Sequence, residues 1–499
     1  MILLTVEEAR AFEARVRERL SATEGTLIER AGSAAAELAA GRLAGLDKKR
    51  VVVLCGKGNN AADGLMMARH ARAMGAEVAA VLAFGEQGLA PEAAAALHGA
   101  RGAGVRTLPA DKALEAAQGA DLVVDALVGT GARLPLSGVL GALAAMPAVC
   151  GAPVLALDLP SGLDADTGEV RGPCVTATWT LTFLAGKLGL ALGDGPARCG
   201  ELTLAGLGAD QAWAGASAFT FDAGLALRSF GPRPKDSHKK KAELLVVAGS
   251  KEYLGAALMC ARGAYRCGAG LVRVALPEAL APFAQAALPE AVVAGLPADG
   301  ALGEMHLEAI LGLAASAKAA VVGPGLGRRD ETLSLARELW GRLPMPAVFD
   351  ADALAALRPG TAPGGERILT PHEGELRTLM GPGALDRGRV AAARKLALTA
   401  SCVALLKGPS TLVARPDGVL SVDLDGTEVL ATAGTGDVLS GAIGALLAQG
   451  LDAFTAAGLG ACIHGRSGAA WARAHGTGGL LASELADGLP DALAGARRG

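Results

Sequence analysis

The stretch LATAGTGDVLSG (430–441) joins a glycine-rich turn, Gly434-Thr435-Gly436, to an apolar pattern at helical spacing: Val438, Leu439, Ala442, Ile443, Leu446, Leu447. A helix start gathers backbone N–H groups and positive dipole, which suits a phosphate. Asp437 sets a carboxylate on the same first turn. Amides holding a phosphoryl group with a base beside them would serve phosphate transfer to a hydroxyl. In that reaction the protein mainly positions groups and balances charge. Taken alone, Asp437 is also an ordinary favourable first-turn acid.

Other loops of the second half carry chemistry-bearing residues. GPGLG (323–327) includes Gly325, and DADAL (350–354) follows an apolar run. LTPHEGE (369–375) sets out His372, Glu373 and Glu375, and LLKGPST (405–411) offers Lys407, Gly408, Pro409, Ser410 and Thr411. Lysine and threonine at such a turn suit a phosphate or a ribose.

The first half has its own set. GKGNNAADGLMMARH (56–70) supplies Asn59, Asn60, Ala61, Ala62 and Asp63. DALVGTGARLP (125–135) supplies Asp125, then Gly129, Thr130, Gly131, Ala132, Arg133, Leu134 and Pro135. LDLPSGLDADTG (157–168) adds Asp158, Ser161 and Asp164, and LTFLAGKLG (181–189) adds Lys187. Acids with Asn and Ser oxygens can hold a hard monovalent cation or do acid–base work. Each is also a common turn residue.

These loops need a scaffold that brings them together. In the first half, apolar runs at 51–56, 121–129 and 153–162 alternate with helical patterns, after an opening helical segment over 6–43. In the second half, runs at 243–250, 271–276, 319–327, 346–354, 367–375 and 402–411 do the same, and helices close the chain at about 435–448 and 453–474. Continuous apolar runs alternating with helices predict parallel sheets covered on both faces. Ligands bind such folds beyond the carboxyl ends of the strands. The segment 208–243 loses periodicity and ends in prolines and Lys239-Lys240-Lys241, so the domains are expected to be 1–225 and 226–499.

Composition bounds the rest. The chain has 499 residues, 51% hydrophobic and 19% charged, enough for two large cores and too apolar for disorder. A formal charge of −3 argues against bulk nucleic-acid binding. Eight scattered cysteines without a CxxC predict a reducing, cytoplasmic setting, and seven histidines show no zinc-ligand spacing. The acidic N-terminal segment is unlike a signal peptide. Leu134 to Leu157 is uncharged, but Pro147, Gly151 and Pro153 break it, so no membrane span is expected.

The motifs of the second half resemble the ribokinase-like family, and within it the ADP/ATP-dependent NAD(P)H-hydrate dehydratases. VVAGS and LGAALMCARGAYRCGAGLV extend the match. The first half resembles the NAD(P)H-hydrate epimerase domain that is fused ahead of the dehydratase in many bacterial chains. The resemblance implies two doubly wound three-layer α/β domains, N-terminal Rossmann-like and C-terminal ribokinase-like. It implies epimerisation of the R and S hydrates, NADHX and NADPHX, and nucleotide-dependent dehydration of the S form through a phosphorylated intermediate. Asp437 becomes the base; Gly434, Thr435 and Gly436 lie against phosphates; Ala256, Gly325, His372 and Asp437 meet the hydrate; Lys407 to Thr411 belong to the nucleotide site. Asn59 to Asp63, Gly129 to Pro135 and Asp158 line the epimerase substrate, Asp158 and Lys187 move protons, and Asn60, Asp125 and Ser161 supply potassium ligands. Implied cofactors are ADP or ATP, K+ and Mg2+, in a homo-oligomer.

The chain departs from the family pattern at three places. His238-Lys239-Lys240 replaces His-Lys-Gly, and Ala433 replaces the first glycine of the anion turn. Ala61 and Ala62 replace two glycines of Asn-Asn-Gly-Gly-Asp-Gly. If either needs positive φ, the strain is about 1–2 kcal/mol, and the epimerase is the less secure activity. A rival reading is therefore a ribokinase-like small-molecule kinase with a non-catalytic N-terminal binding domain.

Overall fold

The computed structural model describes residues 1–230, 238–358 and 360–498. The proline-rich part of the expected junction, 231–237, lies outside them. The chain forms two compact units, Met1–Ala218 and Phe219–Gly499. Residue 225 falls within the helix Ala223–Phe230 of the second unit.

The first unit is built on a seven-stranded sheet. Its order is Arg106–Pro109, Glu77–Leu82, Arg50–Cys55, Leu122–Ala126, Val154–Leu157, Trp179–Phe183, Glu201–Ala205, all parallel. The chain winds outward from Arg50–Cys55 to one side, then returns to fill the other. The crevice at that reversal is where such sheets bind ligands. Alternate side chains face opposite layers, as a strand's period of two requires. Val51, Val53 and Cys55 pack with Ala35, Leu65 and Ala96 of three helices. Val52 and Leu54 pack with Leu143 and Ala144 on the other face. Leu65 and Met67 are fully buried, each contributing about 2 kcal/mol.

The opening segment differs from the single helix expected over 6–43. It is a strand, Ile2–Leu4, then two helices, Val6–Leu20 and Glu24–Arg42. Thr5 and Glu8 form a capping box at the first helix, worth about 1 kcal/mol. Ser21, in the left-handed conformation, ends it. Ile2–Leu4 pairs in parallel with Gly186–Lys187, which brings the first helix beside Lys187.

The second unit repeats the principle with a longer sheet. Its parallel part runs Val292–Leu296, Leu271–Pro277, Glu243–Val247, Ala319–Val322, Ala347–Phe349, Arg367–Leu369, Val403–Leu406. Thr411–Ala414 and Leu420–Asp423 then continue the sheet as antiparallel strands, which the apolar runs did not predict. One face is covered by Leu254–Arg266, Thr435–Ala448 and Ala453–His475, and by a further helix, Ala482–Arg498, beyond the two expected at the end. Asp330–Arg342 lies on the other face, where Trp340 meets Phe349 edge-on at 5.1 Å. Arg367, 1% exposed, donates to the Trp340, Leu343 and Met345 carbonyls at that helix's C-terminal end.

One helix crossing positions the anion turn. A Cβ on Gly441 would lie 1.9 Å from the Cys260 carbonyl oxygen, and one on Gly263 2.5 Å from that of Val438. Only glycines let these two helices approach so closely, and the contact fixes Asp437 relative to Ala256. No helix among the described residues is long and apolar enough to cross a membrane. All eight cysteines are free.

Candidate active sites

The first site is a cavity of about 490 Å³ at the strand ends of the first unit. Asn59, Asn60 and Asp63 enter it from a helix start, Gly129 to Ala132 from the loop after Leu122–Ala126, and Asp158 and Lys187 from the far wall. Asp158 adopts a left-handed φ of 68°, unusual for a side-chain-bearing residue, at a cost of about 1 kcal/mol. Its carboxylate pairs with Lys187, itself 4% exposed. Lys187 Nζ also lies 3.1 Å from Thr182 Oγ1, 3.1 Å from the Phe183 carbonyl and 3.2 Å from that of Ala185. Four oxygens thus surround three N–H donors, which holds the ammonium rigidly.

Other acids line the same cavity. Burial pushes the Asp63 carboxyl well above its ordinary range, and Asp158 and Glu13 push it further. Glu13, from the first helix, is raised by burial and then by Glu24. The Asp63 carboxyl faces the same space as the Asp158–Lys187 pair. A carboxyl whose proton affinity is raised by burial is suited to general-acid work. Nothing in the sequence singled out Glu13, one of several charges on an amphipathic helix; only the pairing of Ile2–Leu4 with Gly186–Lys187 brings it in.

Beside the cavity lies an all-oxygen cluster. Asp125, fully buried, accepts from Ser161 Oγ and Ser161 N, both at 2.7 Å, and from Leu127 N at 3.2 Å. Burial lifts its carboxyl to about 6. Asn60 Nδ2 donates to the Val128 carbonyl at 3.1 Å, while Asn60 Oδ1 is buried without a partner. An orphaned buried acceptor together with a buried carboxylate fits a hard cation.

Several expectations for this half are corrected. Ala61 and Ala62 do not line the cavity: both are fully buried in the core, and their amides donate to the Gly58 carbonyl at 3.0 and 3.2 Å. The helix Asn59–Ala73 starts before them, so neither has positive φ and the expected strain is absent. Arg133, Leu134 and Pro135 also stand outside the cavity, because the loop turns away after Ala132 and Leu134 packs on the opposite core.

The second site lies at the parallel strand ends of the second unit. Gly434 caps Thr435–Ala448 with φ 88°, a conformation that excludes most side chains. The Gly436 and Asp437 amides follow it, on the first turn where helix N–H groups lack partners. Burial, then Asp350, push the Asp437 carboxyl to about 7, against the pull of Lys407. Desolvation thus brings Asp437 into the range of a base that works near neutral pH.

Lys407 faces inward. Its Nζ lies 2.9 Å from Asp350 Oδ1 and 3.6 Å from Glu375 Oε2, and 3.6 Å from where a Gly436 Cβ would be. Burial alone would raise Asp350 and lower Lys407. Their attraction outweighs this, aided by Ser440 Oγ at 2.6 Å from Asp350 Oδ2, so the pair stays charged. The side chain thus stands at the anion turn, while Gly408 to Ser410 remain loop and Thr411 opens the next strand. That loop is held by Arg389, which donates to the Lys407 and Ser410 carbonyls at 3.1 and 2.9 Å. Asp350 was unmarked in the sequence except as the first residue after an apolar run.

Gly325 and Ala256 come together: a Gly325 Cβ would lie 2.9 Å from that of Ala256. His372 has a structural task, its Nδ1 accepting from Gly374 and Glu375 amides at 2.9 and 3.3 Å. Its side chain remains 59% exposed, with Nε2 3.6 Å from Glu375 Oε1. Asp423, Asp425 and Cys462 form a further cluster, in which Arg466 Nε lies 2.9 Å from Asp425 Oδ2 and supplies a counter-charge.

Two family models match this chain: one described as NAD(P)H-hydrate dehydratase over residues 244–491, and one as YjeF-related protein N-terminus over 24–189. The bifunctional NAD(P)H-hydrate repair enzyme Nnr of Moorella thermoacetica is 36% identical over 99% of this chain and 97% of its own length. That of Escherichia coli is 34% identical over 96% and 91%. A solved Bacillus subtilis ADP/ATP-dependent NAD(P)H-hydrate dehydratase, co-crystallised with ATP/Mg2+, is 31% identical over 53% of this chain and 94% of its own, with a TM-score of 0.46. On identity sustained along nearly its whole length, this chain belongs to the bifunctional NAD(P)H-hydrate repair enzymes.

Proposed function

We propose that the second unit dehydrates the S hydrate of NADH or NADPH at the expense of ADP or ATP, and that the first unit interconverts the R and S hydrates. The observation that carries the first part is Asp437, poised near 7 beside the amides of the Gly434 turn. With ADP, the ring hydroxyl oxygen attacks the terminal phosphorus, its proton passes to Asp437, and AMP leaves. The ring nitrogen then expels phosphate from the adjacent carbon, and loss of a neighbouring ring proton restores the dihydronicotinamide. The nucleotide enters as its magnesium complex, with phosphate oxygens among the metal's ligands. Lys407, held by Asp350, balances charge on the transferred group.

In the first unit, expulsion of hydroxide by the ring nitrogen and readdition of water to the other face exchange the epimers. Asp63 supplies the proton to the departing hydroxyl, and Asp158, held by Lys187, takes one from the incoming water. Asn60, Asp125 and Ser161 would hold potassium, which would organise the turn under the substrate. We assign the chain to the cytoplasm, supported by its free thiols, and to a homo-oligomer; light scattering checks the latter.

The test uses purified protein, potassium and a mixture of R and S hydrates, following the return of nicotinamide absorbance with ADP, ATP or neither. Nucleotide-dependent recovery of the whole mixture, faster than spontaneous epimerisation, is expected. Recovery of the S fraction alone would mean an idle first unit, and none at all would sink the assignment.

A further inference from the structure

We propose that His464 is a positioning residue for phosphoryl transfer, aiming the Gly436 amide into the site through the Thr435 carbonyl. His464 lies in the middle of Ala453–His475, only 7% exposed. Its Nε2 is 2.9 Å from the Thr435 carbonyl oxygen. A carbonyl only accepts, so Nε2 carries the proton and donates. The Thr435 C=O and the Gly436 N–H belong to one planar trans peptide and point in opposite directions. Anchoring the oxygen therefore fixes the direction of the N–H.

The turn is gripped from the same residue a second time. Thr435 Oγ1 lies 2.8 Å from both the Leu430 and Thr432 carbonyls, so the side chain is tied back into the preceding loop. On the other side of Gly436 stands Lys407, 3.6 Å from the position of a Cβ. A preorganised amide and a fixed cation then flank one space, the arrangement that stabilises developing charge without reorganisation. Burial holds the imidazole neutral, with a pKa of about 4, so its donor role is constant while Asp437 titrates. A buried histidine at this place would otherwise be an expensive residue for a small-residue helix to carry.

This inference rests on the reading of Gly436 as a phosphoryl-holding amide. The experiment compares His464→Gln with His464→Met in the full chain, with saturating S hydrate and varied ADP. Glutamine keeps an N–H at similar reach; methionine fills similar volume without one. His464→Met is expected to lose kcat by about 100-fold, the scale seen when one such donor is withdrawn, with KM for ADP changed less than about threefold. His464→Gln should recover to within about fivefold of wild type. Nitrogen-15 spectra of wild type should show an Nε2-protonated ring that does not titrate between about pH 8 and 5.

The proposal is overturned if His464→Met keeps kcat within about twofold. It is also overturned if glutamine and methionine variants of equal thermal stability are equally slow, or if the loss falls on KM for ADP alone. Full turnover in Asp437→Asn is a separate outcome, which would remove the anion-turn reading itself whatever His464 does.

Discussion

The two units carry matching glycine-poor departures at a strand-to-helix turn, with opposite structural consequences. In the first, Asn59 already belongs to the helix, so Ala61 and Ala62 sit in regular helical backbone and their methyl groups fill core. In the second, the helix begins only after Gly434, whose φ of 88° is required by the turn. Ala433 precedes that residue and leaves it intact. A glycine lost inside a helix gains propensity, whereas one lost at a left-handed cap costs strain. What matters is the position relative to the helix start, which the motif alone does not state.

The sharpest break of this comparison is Asp437→Asn, expected to lower nucleotide-dependent dehydration by about 10³-fold or more while epimerisation of R hydrate continues. Its pH behaviour gives an independent check. Burial raises the folded-state pKa of Asp437 to about 7, so the wild-type kcat should fall as pH drops below that value. The sign for stability is opposite. A raised carboxyl stabilises the fold below its unfolded pKa, and this contribution is lost as pH rises toward 7. Asp437→Asn should therefore melt higher than wild type at pH 8, with the difference shrinking as pH falls toward the unfolded value of 3.8, by calorimetry.

Lys187→Met comes next. It strands Asp158 in the cavity wall, and removing one partner of a buried pair costs about 3 kcal/mol. Epimerisation should fall by about 100-fold, with dehydration of pure S hydrate retained. Loss of both activities in a folded variant would contradict the division of labour between the units.

Gly434→Ala tests the cap directly. A Cβ there meets Ala482 Cβ at 3.0 Å in a left-handed backbone, and about 1–2 kcal/mol of stability should be lost, measured by denaturant melting, with dehydration slowed. The smallest effect is expected from Ala61→Gly with Ala62→Gly. Restoring the family glycines should change the epimerisation rate by less than about twofold and cost about 0.5–1 kcal/mol per site. A sharp rise in epimerisation would mean the alanines do hinder the substrate.

Much of the architecture was legible beforehand because its signals are local. Apolar runs located Arg50–Cys55, Leu122–Ala126 and Val154–Leu157 in the first sheet and most parallel strands of the second, though not Glu77–Leu82, Arg106–Pro109, Glu201–Ala205 or Val292–Leu296, and Thr435–Ala448 appeared at its expected limits. Asp158, Lys187, Asn60 and Asp125 were visible as polar residues just past those runs. The antiparallel strands Thr411–Ala414 and Leu420–Asp423 were not, since strands of four residues carry too few positions to show a period.

By itself the sequence determined the two α/β units, the loops that meet at their strand ends and the chemistry those residue types allow. Hydrophobic period and turn chemistry act over a few residues, and that suffices. Only the tertiary structure decided which groups share a space. Glu13 reaches the epimerase cavity through a strand pairing more than a hundred residues away in sequence. Asp350 and Lys407 find each other from the ends of two strands that have Arg367–Leu369 between them, and His464 reaches Thr435 from another helix. Tertiary burial also set the proton affinities of Asp63, Asp125 and Asp437, because desolvation depends on everything packed around a carboxyl and not on its neighbours in the chain.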